Sequence, residues 1–167
     1  MATTMTMNTI TTTMTMNAIT EQPPLHDLHR SCFACGMANP DGLNLTFSMN
    51  PEGVAISIWQ PSHLFQSYSD RVHGGVIATL LDSAMVHGLF AHGVAGVTAE
   101  LTIRYLQPVL VNAPIHIAGW VESQQRNLSL CRAEIRQSDM LMVKATAKFL
   151  ALPGHNKKKA CMLTINH

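Results

Sequence analysis

The sequence predicts an α+β domain in which an antiparallel sheet of about six strands curls round one long central helix. Three observations carry this. One helix-length apolar stretch, VIATLLDSAMVHGLF from Val76 to Phe90, stands alone. Six segments on either side of it alternate apolar and polar residues with the period of a strand. Short turn signals separate most of those segments, as hairpins require. At 167 residues, 47% hydrophobic and 13% charged, the chain has the size and apolar content of one globular domain with a sizeable core.

Residues 1–24 come first. They repeat Thr, Met and Asn (TTMTMNTITTTMTMN) and carry no charge before Glu21. Such a segment has little to build a core and is expected to be disordered. A misassigned start would also explain it, since Met14 and Met16 could initiate. Pro23-Pro24 closes it, and the domain proper is expected over 25–152. Leu43, Leu45, Phe47 and Met49 form the first strand pattern, and Val54, Ile56 and Ile58 the second, across Asn50-Pro51-Glu52-Gly53. The helix is expected from about Gly75 to Phe90. Val76, Ile77, Leu80, Leu81, Ala84, Met85, Leu89 and Phe90 cover most of its circumference, which marks a buried helix. Then Val97, Ala99, Leu101, Ile103 and Tyr105 alternate against Thr98, Glu100, Thr102 and Arg104. Ile115, Ile117, Gly119 and Val121 follow, then a less regular Leu128–Arg136. Leu141, Val143, Ala145, Ala147 and Phe149 end the series. Pro108, Asn112-Ala113-Pro114 and Ser138-Asp139 punctuate these strands. Residues 153–167, with HNKKK, read as a solvated tail.

Composition also excludes. A net charge of +1 gives no basic field for nucleic acid. No apolar run reaches the roughly eighteen residues of a membrane span. No basic start leads into an apolar core, so no secretion signal is expected. The chain is therefore placed in the cytoplasm, with Cys32, Cys35, Cys131 and Cys161 reduced.

Asp82 is the only formally charged residue between Arg71 and Glu100. Aspartate is a poor mid-helix residue, and a buried carboxylate needs a partner. Either it is a satisfied core group, bonded to a strand or to His87, or it is a nucleophile or general base in dry surroundings. His73-Gly74-Gly75 sits at the expected helix start, where the first N–H groups lack internal partners and carry the positive end of the dipole. That is an ordinary tight turn or a place to hold a developing oxyanion. Gly74 and Asp82 are eight residues apart, about 12 Å along one helix. One small carbonyl cannot reach both. Two helices antiparallel across a two-fold axis would bring Gly74 of one to Asp82 of the other, giving two shared sites.

HGGVIATLLDSAM, with FQSYSDRVHGG before it and VTAELTIRYLQPV after it, resembles the hotdog-fold acyl-CoA thioesterases of the PaaI-like and 4-hydroxybenzoyl-CoA thioesterase type. The match covers roughly residues 32 to 151. The resemblance implies a hotdog fold, dimers joined edge to edge or dimers of dimers, and hydrolysis of an acyl-CoA thioester without a cofactor. It implies that Gly74, flanked by Gly75, offers its N–H to the thioester oxygen. It implies that Asp82 of the partner chain is nucleophile or base, and that His73 orients the loop. Relatives often carry Asn six residues before the His. Here Ser67 stands there, and Gln66 beside it could supply an amide. Thr98 falls where some relatives have a water-assisting serine. Arg104 and Arg126 are the candidates for the CoA phosphates, with Lys144 and Lys148 weaker. Phe65, Tyr68, Met85 and Leu89 would line an acyl channel.

Cys32-Phe-Ala-Cys35-Gly, with His26 and His29 upstream, looks like half a zinc site. A closed site needs four ligands, so a Gly-terminated turn with small buried thiols is expected and no metal. His87 and His92 lie near the helix end, where they suit the negative pole of its dipole. Two rivals to thioester hydrolysis stand: an acyl-CoA binder or sensor without turnover, motivated by Ser67, and a dehydratase on the same fold.

Overall fold

The computed structural model describes Leu25 and residues 27–154. The expectations for residues 1–24, for His26 and Cys161 and for the tail from His155 onward lie outside these. Six strands and one long helix run in the order β1 (Ser48–Met49), β2 (Ala55–Trp59), α1 (Gly74–Ala91), β3 (Gly96–Tyr105), β4 (Ile115–Gln125), β5 (Leu128–Gln137) and β6 (Met140–Ala151). The strands form one antiparallel sheet ordered β1-β2-β4-β5-β6-β3. α1 crosses its inner face and packs most extensively on β4.

α1 is buried through Ile77, Leu80, Leu81, Ala84, Met85 and Leu89. Facing it are Ile115 and Ile117 of β4, Cys131, Ala133 and Ile135 of β5, and Val143, Ala145, Ala147 and Phe149 of β6. By length and composition alone α1 could cross a membrane, contrary to expectation. Here the sheet takes up its apolar side instead. Helix and sheet approach closely at one place. A Cβ on Gly119 would meet the Ala84 carbonyl oxygen at 2.5 Å and the Met85 nitrogen at 2.7 Å. A Cβ on Gly88 would meet the Gly119 carbonyl oxygen at 3.2 Å.

That contact corrects the reading of β2. Ala55 and Ser57 face inward, while Ile56 and Ile58 face out, Ile58 being 63% exposed. Ala55 pairs with Gly119, so it stands where the helix leaves room only for a small side chain. The first expected strand is also shorter. Leu43 and Leu45 are buried as the alternation requires, but Asn44 has φ 53° and only Ser48–Met49 joins the ladder. β5 is more regular than its sequence suggests, because polar Ser129 and Gln137 occupy inward positions. Gln137 is satisfied there by Leu110: its Nε2 donates to the Leu110 carbonyl and its Oε1 accepts from the Leu110 N–H, both at 2.9 Å. This ties down the connection between β3 and β4.

β3 is an edge strand. It pairs with β6 on one side only, and its ten residues are exposed or half-buried throughout. Its register slips between Thr98 and Glu100, where Ala99 is an extra residue in a β-bulge.

Candidate active site

The helix start is built by its own cap. His73 is the N-cap residue, with extended backbone, and its Nδ1 accepts from the Gly75 N–H at 2.9 Å. Because Nδ1 accepts, the ring proton of a neutral His73 sits on Nε2, a donor on an exposed side chain. A Cβ on Gly75 would lie 3.1 Å from that Nδ1, so the glycine leaves room for the cap. The Ile77 N–H returns to the His73 carbonyl at 3.1 Å. The Gly74 N–H has no acceptor among the described residues, and it points from the positive end of an 18-residue helix. The Gly74 carbonyl is fixed from the other side by the Tyr105 hydroxyl, which donates to it at 2.9 Å. Burial pushes the Tyr105 phenol above its ordinary range, so it remains a donor at neutral pH.

Beside Gly74 lies an open groove of 460 Å³. Tyr68, Val72, Ile77, Leu106 and Val109 give it an apolar floor, and Ser67 and Arg71 reach its rim. Of the two expected substitutes for asparagine, Ser67 is in the groove and Gln66 is not. Gln66 is held outside by His63, Oε1 to Nδ1 at 3.2 Å, and His63 is held in turn by Asn112 at 2.6 Å.

Asp82 is half-buried, less dry than expected. The Thr98 hydroxyl donates to its Oδ1 at 2.7 Å. The strand, not His87, is therefore its partner. Strict alternation would have put Thr98 on the outer face with Glu100, Thr102 and Arg104. The Ala99 bulge changes the phase, and Thr98 pairs with inward-facing Phe149. A bulge re-aims one side chain in this way.

The remaining candidates scatter. Arg104 lies on the outer face of the sheet, in a shallow groove with Thr102, Trp120, Arg132 and Lys144, away from Gly74. Arg126 sits in the β4–β5 turn with φ 52°, near the Thr98 end of the sheet. Lys148 is paired with Glu100 at 2.7 Å. Met85 and Leu89 are closed core, with no exposed surface; Phe65 is half-buried and its ring lies tilted at 55° to that of Trp59, centroids 5.0 Å apart. Of the expected channel residues only Tyr68 is in the groove. His92 is the C-cap, its N–H bonded to Leu89 and Phe90. His87 faces a different groove and stacks on Phe47 at 4.4 Å. Burial, with His29 nearby, pulls it down to about 4. Burial pushes the thiol of Cys131 up to about 12, which leaves it inert. Two site residues escaped the sequence reading. Arg71 carries a signal in its place two residues before His73. In the sequence Tyr105 reads only as an apolar strand position.

Residues 70–144 match the family model described as the thioesterase superfamily. The chain is 27% identical over 135 residues to acyl-coenzyme A thioesterase THEM4 of Xenopus laevis, across 78% of this chain and 60% of that protein. The chain spans about 60% of the length of the curated relatives it matches. A solved thioesterase superfamily protein superposes with a TM-score of 0.67 at 25% identity, over 70% of this chain and 61% of that one. A hypothetical thioesterase protein of Streptococcus pneumoniae, solved with coenzyme A, superposes with a TM-score of 0.61 at 22% identity, over 65% of this chain and 88% of that one.

Proposed function

For a chain that is a hotdog-fold relative of the thioesterase superfamily, we propose hydrolysis of an acyl-CoA thioester at a site shared by two protomers. One observation carries the reading. β3 is bonded to Asp82 through Thr98 at one end and to Gly74 through Tyr105 at the other. β3 is also an unpaired edge, and an exposed edge invites a second strand. If two copies pair antiparallel along β3 about a two-fold axis near its middle, the Thr98 end of one strand comes alongside the Tyr105 end of the other. Asp82 of one protomer then approaches Gly74 of its partner, which the 12 Å along a single helix forbids. Val97 and Tyr105, 53% and 52% exposed, would be covered by the same contact.

In this arrangement the thioester carbonyl oxygen accepts from the Gly74 N–H, where negative charge develops as the carbonyl is attacked. Asp82, oriented by Thr98, either takes a proton from the attacking water or attacks the carbonyl itself and is released by water. Both routes break the C–S bond and yield the free acid and CoA thiol. His73 Nε2–H is a donor beside the thioester. Arg71, rather than Arg104, is the cation at the groove rim for a CoA phosphate. The acyl chain lies over Tyr68, Ile77 and Val109.

The test is CoA release in a thiol-detecting assay across acyl-CoAs of graded length and aromaticity. Asp82→Asn should retain the fold and lose at least about a hundredfold in rate. Wild-type turnover by that variant would refute the assigned role. Mixing Asp82→Asn chains with chains altered at Gly74 should restore one working site per heterodimer. Acyl-CoA binding with no turnover by the unaltered chain would favour the sensor reading, for which Ser67 in the groove is the supporting observation.

A further inference from the structure

We infer that the turn preceding the sheet is a zinc site, with His29, Cys32 and Cys35 as its protein ligands. One ligand atom from each residue lies within 4.8 Å of the other two, and all three residues are half-buried. Both thiols are free. The Cys35 Sγ and His29 Nδ1 are 3.7 Å apart. A tetrahedral zinc with Zn–S of about 2.3 Å and Zn–N of about 2.05 Å sets sulfur and imidazole nitrogen about 3.6 Å apart. Two thiolates and an imidazole form a soft, borderline donor set that suits zinc over the hard cations.

The backbone holds these donors in place. The Cys32 N–H bonds to the His29 carbonyl, and the Gly36 N–H bonds to the Cys32 carbonyl, both at 2.9 Å. Gly36 is required by the close turn: a Cβ there would stand 2.6 Å from the Arg30 carbonyl oxygen and 2.7 Å from that of Cys32. The His29 ring is set edge-on against Phe90 of α1 at 5.1 Å, which fixes its direction. Without a metal the three groups are held to one another by hydrogen bonds, Cys35 to His29 and Cys35 to Cys32, so the donors already stand at one point for an ion to take.

Three protein donors leave a fourth coordination position. A groove of 430 Å³ opens beside the cluster and is lined by His29, Cys35, Phe47, His87 and Phe90. The Nε2 of His87 is buried in its wall and has no hydrogen-bond partner among the described residues. A zinc-bound water in that groove completes the tetrahedron, with His87 Nε2 in the wall as a hydrogen-bond partner for it. The ion would pin the irregular segment from Asp27 to Phe47 against α1, near the opposite end from Gly74. Its role is structural, and the inference stands on the geometry of the turn rather than on the thioesterase reading.

The full-length chain, reduced and carrying Cys161→Ser so that the tail thiol cannot contribute, should bind one zinc. With cobalt in place of zinc it should show a thiolate-to-metal charge-transfer band in the near ultraviolet. X-ray absorption at the zinc edge should find two sulfur and two nitrogen or oxygen neighbours. Chelation should lower the thermal midpoint, and Cys32→Ser with Cys35→Ser should abolish both the band and the stoichiometric zinc. Absence of the cobalt band in the unaltered turn, four light-atom neighbours at the zinc edge, or equal zinc in the double variant would each overturn the inference. The first two need no variant of the turn, so a misfolded double variant leaves the test intact.

Discussion

α1 is flanked by two strands that treat it differently. β4 lies under its middle, with Ile115, Ile117 and Gly119 fully or nearly enclosed and backbone meeting backbone at Gly119 and Ala84. β3 lies along its flank, exposed or half-buried along its length, and reaches the helix polar groups through two hydroxyls, Thr98 to Asp82 and Tyr105 to Gly74. One side of the helix is held by shape, and change there costs stability. The other side is held by a few directed hydrogen bonds on a strand with an open edge, and change there should cost rate. The separation lets a carboxylate and a bare helix tip stay accessible on an element whose other face is immovable.

Removing the carboxylate itself, as in Asp82→Asn, should give the largest effect and should fall on rate alone. Gly119→Ala should do the reverse. The added methyl meets main-chain atoms that cannot swing aside, so a loss of about 3 kcal/mol is expected. Chemical denaturation should show it as an earlier midpoint, while turnover per folded molecule stays near normal. Thr98→Val keeps the shape of the side chain and removes the hydroxyl from Asp82. A rate loss of about tenfold, or 1.4 kcal/mol, with an unchanged midpoint is expected from steady-state assays. A drop in midpoint without a rate change would erase the contrast between the two flanks. Lys148→Ala, which breaks the exposed pair with Glu100 on the outer face of the sheet, should move the midpoint by less than about 0.5 kcal/mol and leave the rate alone.

Much of this contrast was legible in the residues. The period of Val97–Tyr105 and of Leu141–Phe149 gave the strands, and the nearly all-round apolar pattern of Gly75–Phe90 gave the helix as the element everything wraps. His-Gly-Gly before it gave the tip, and a lone carboxylate inside an apolar run drew notice to Asp82. What escaped depended on distances between elements. Ile56 and Ile58 look like core until Gly119 and Ala84 are seen to leave space only for Ala55. Arg104 looks like a phosphate ligand until the pleat turns it to the outer face, whereas Arg71, from the loop, lines the groove beside Gly74. Met85 and Leu89 look like channel lining until the sheet closes over them. His29, Cys32 and Cys35 are three residues apart in the chain, and the sequence alone could not say whether that spacing brings their donor atoms to one point.

The extra residue at Ala99 has a consequence of its own. It makes the two ends of β3 separately adjustable. Beyond the bulge, Leu101 to Tyr105 keep the pairing that holds the helix tip. Before it, Thr98 is turned by half a repeat toward the acid. Insertion or loss of a single residue at that point would switch Thr98 between inside and outside while the Tyr105 end stayed in place. A scaffold of this kind can gain or discard the acid's companion by changing its length by one, without redesigning anything else in the sheet.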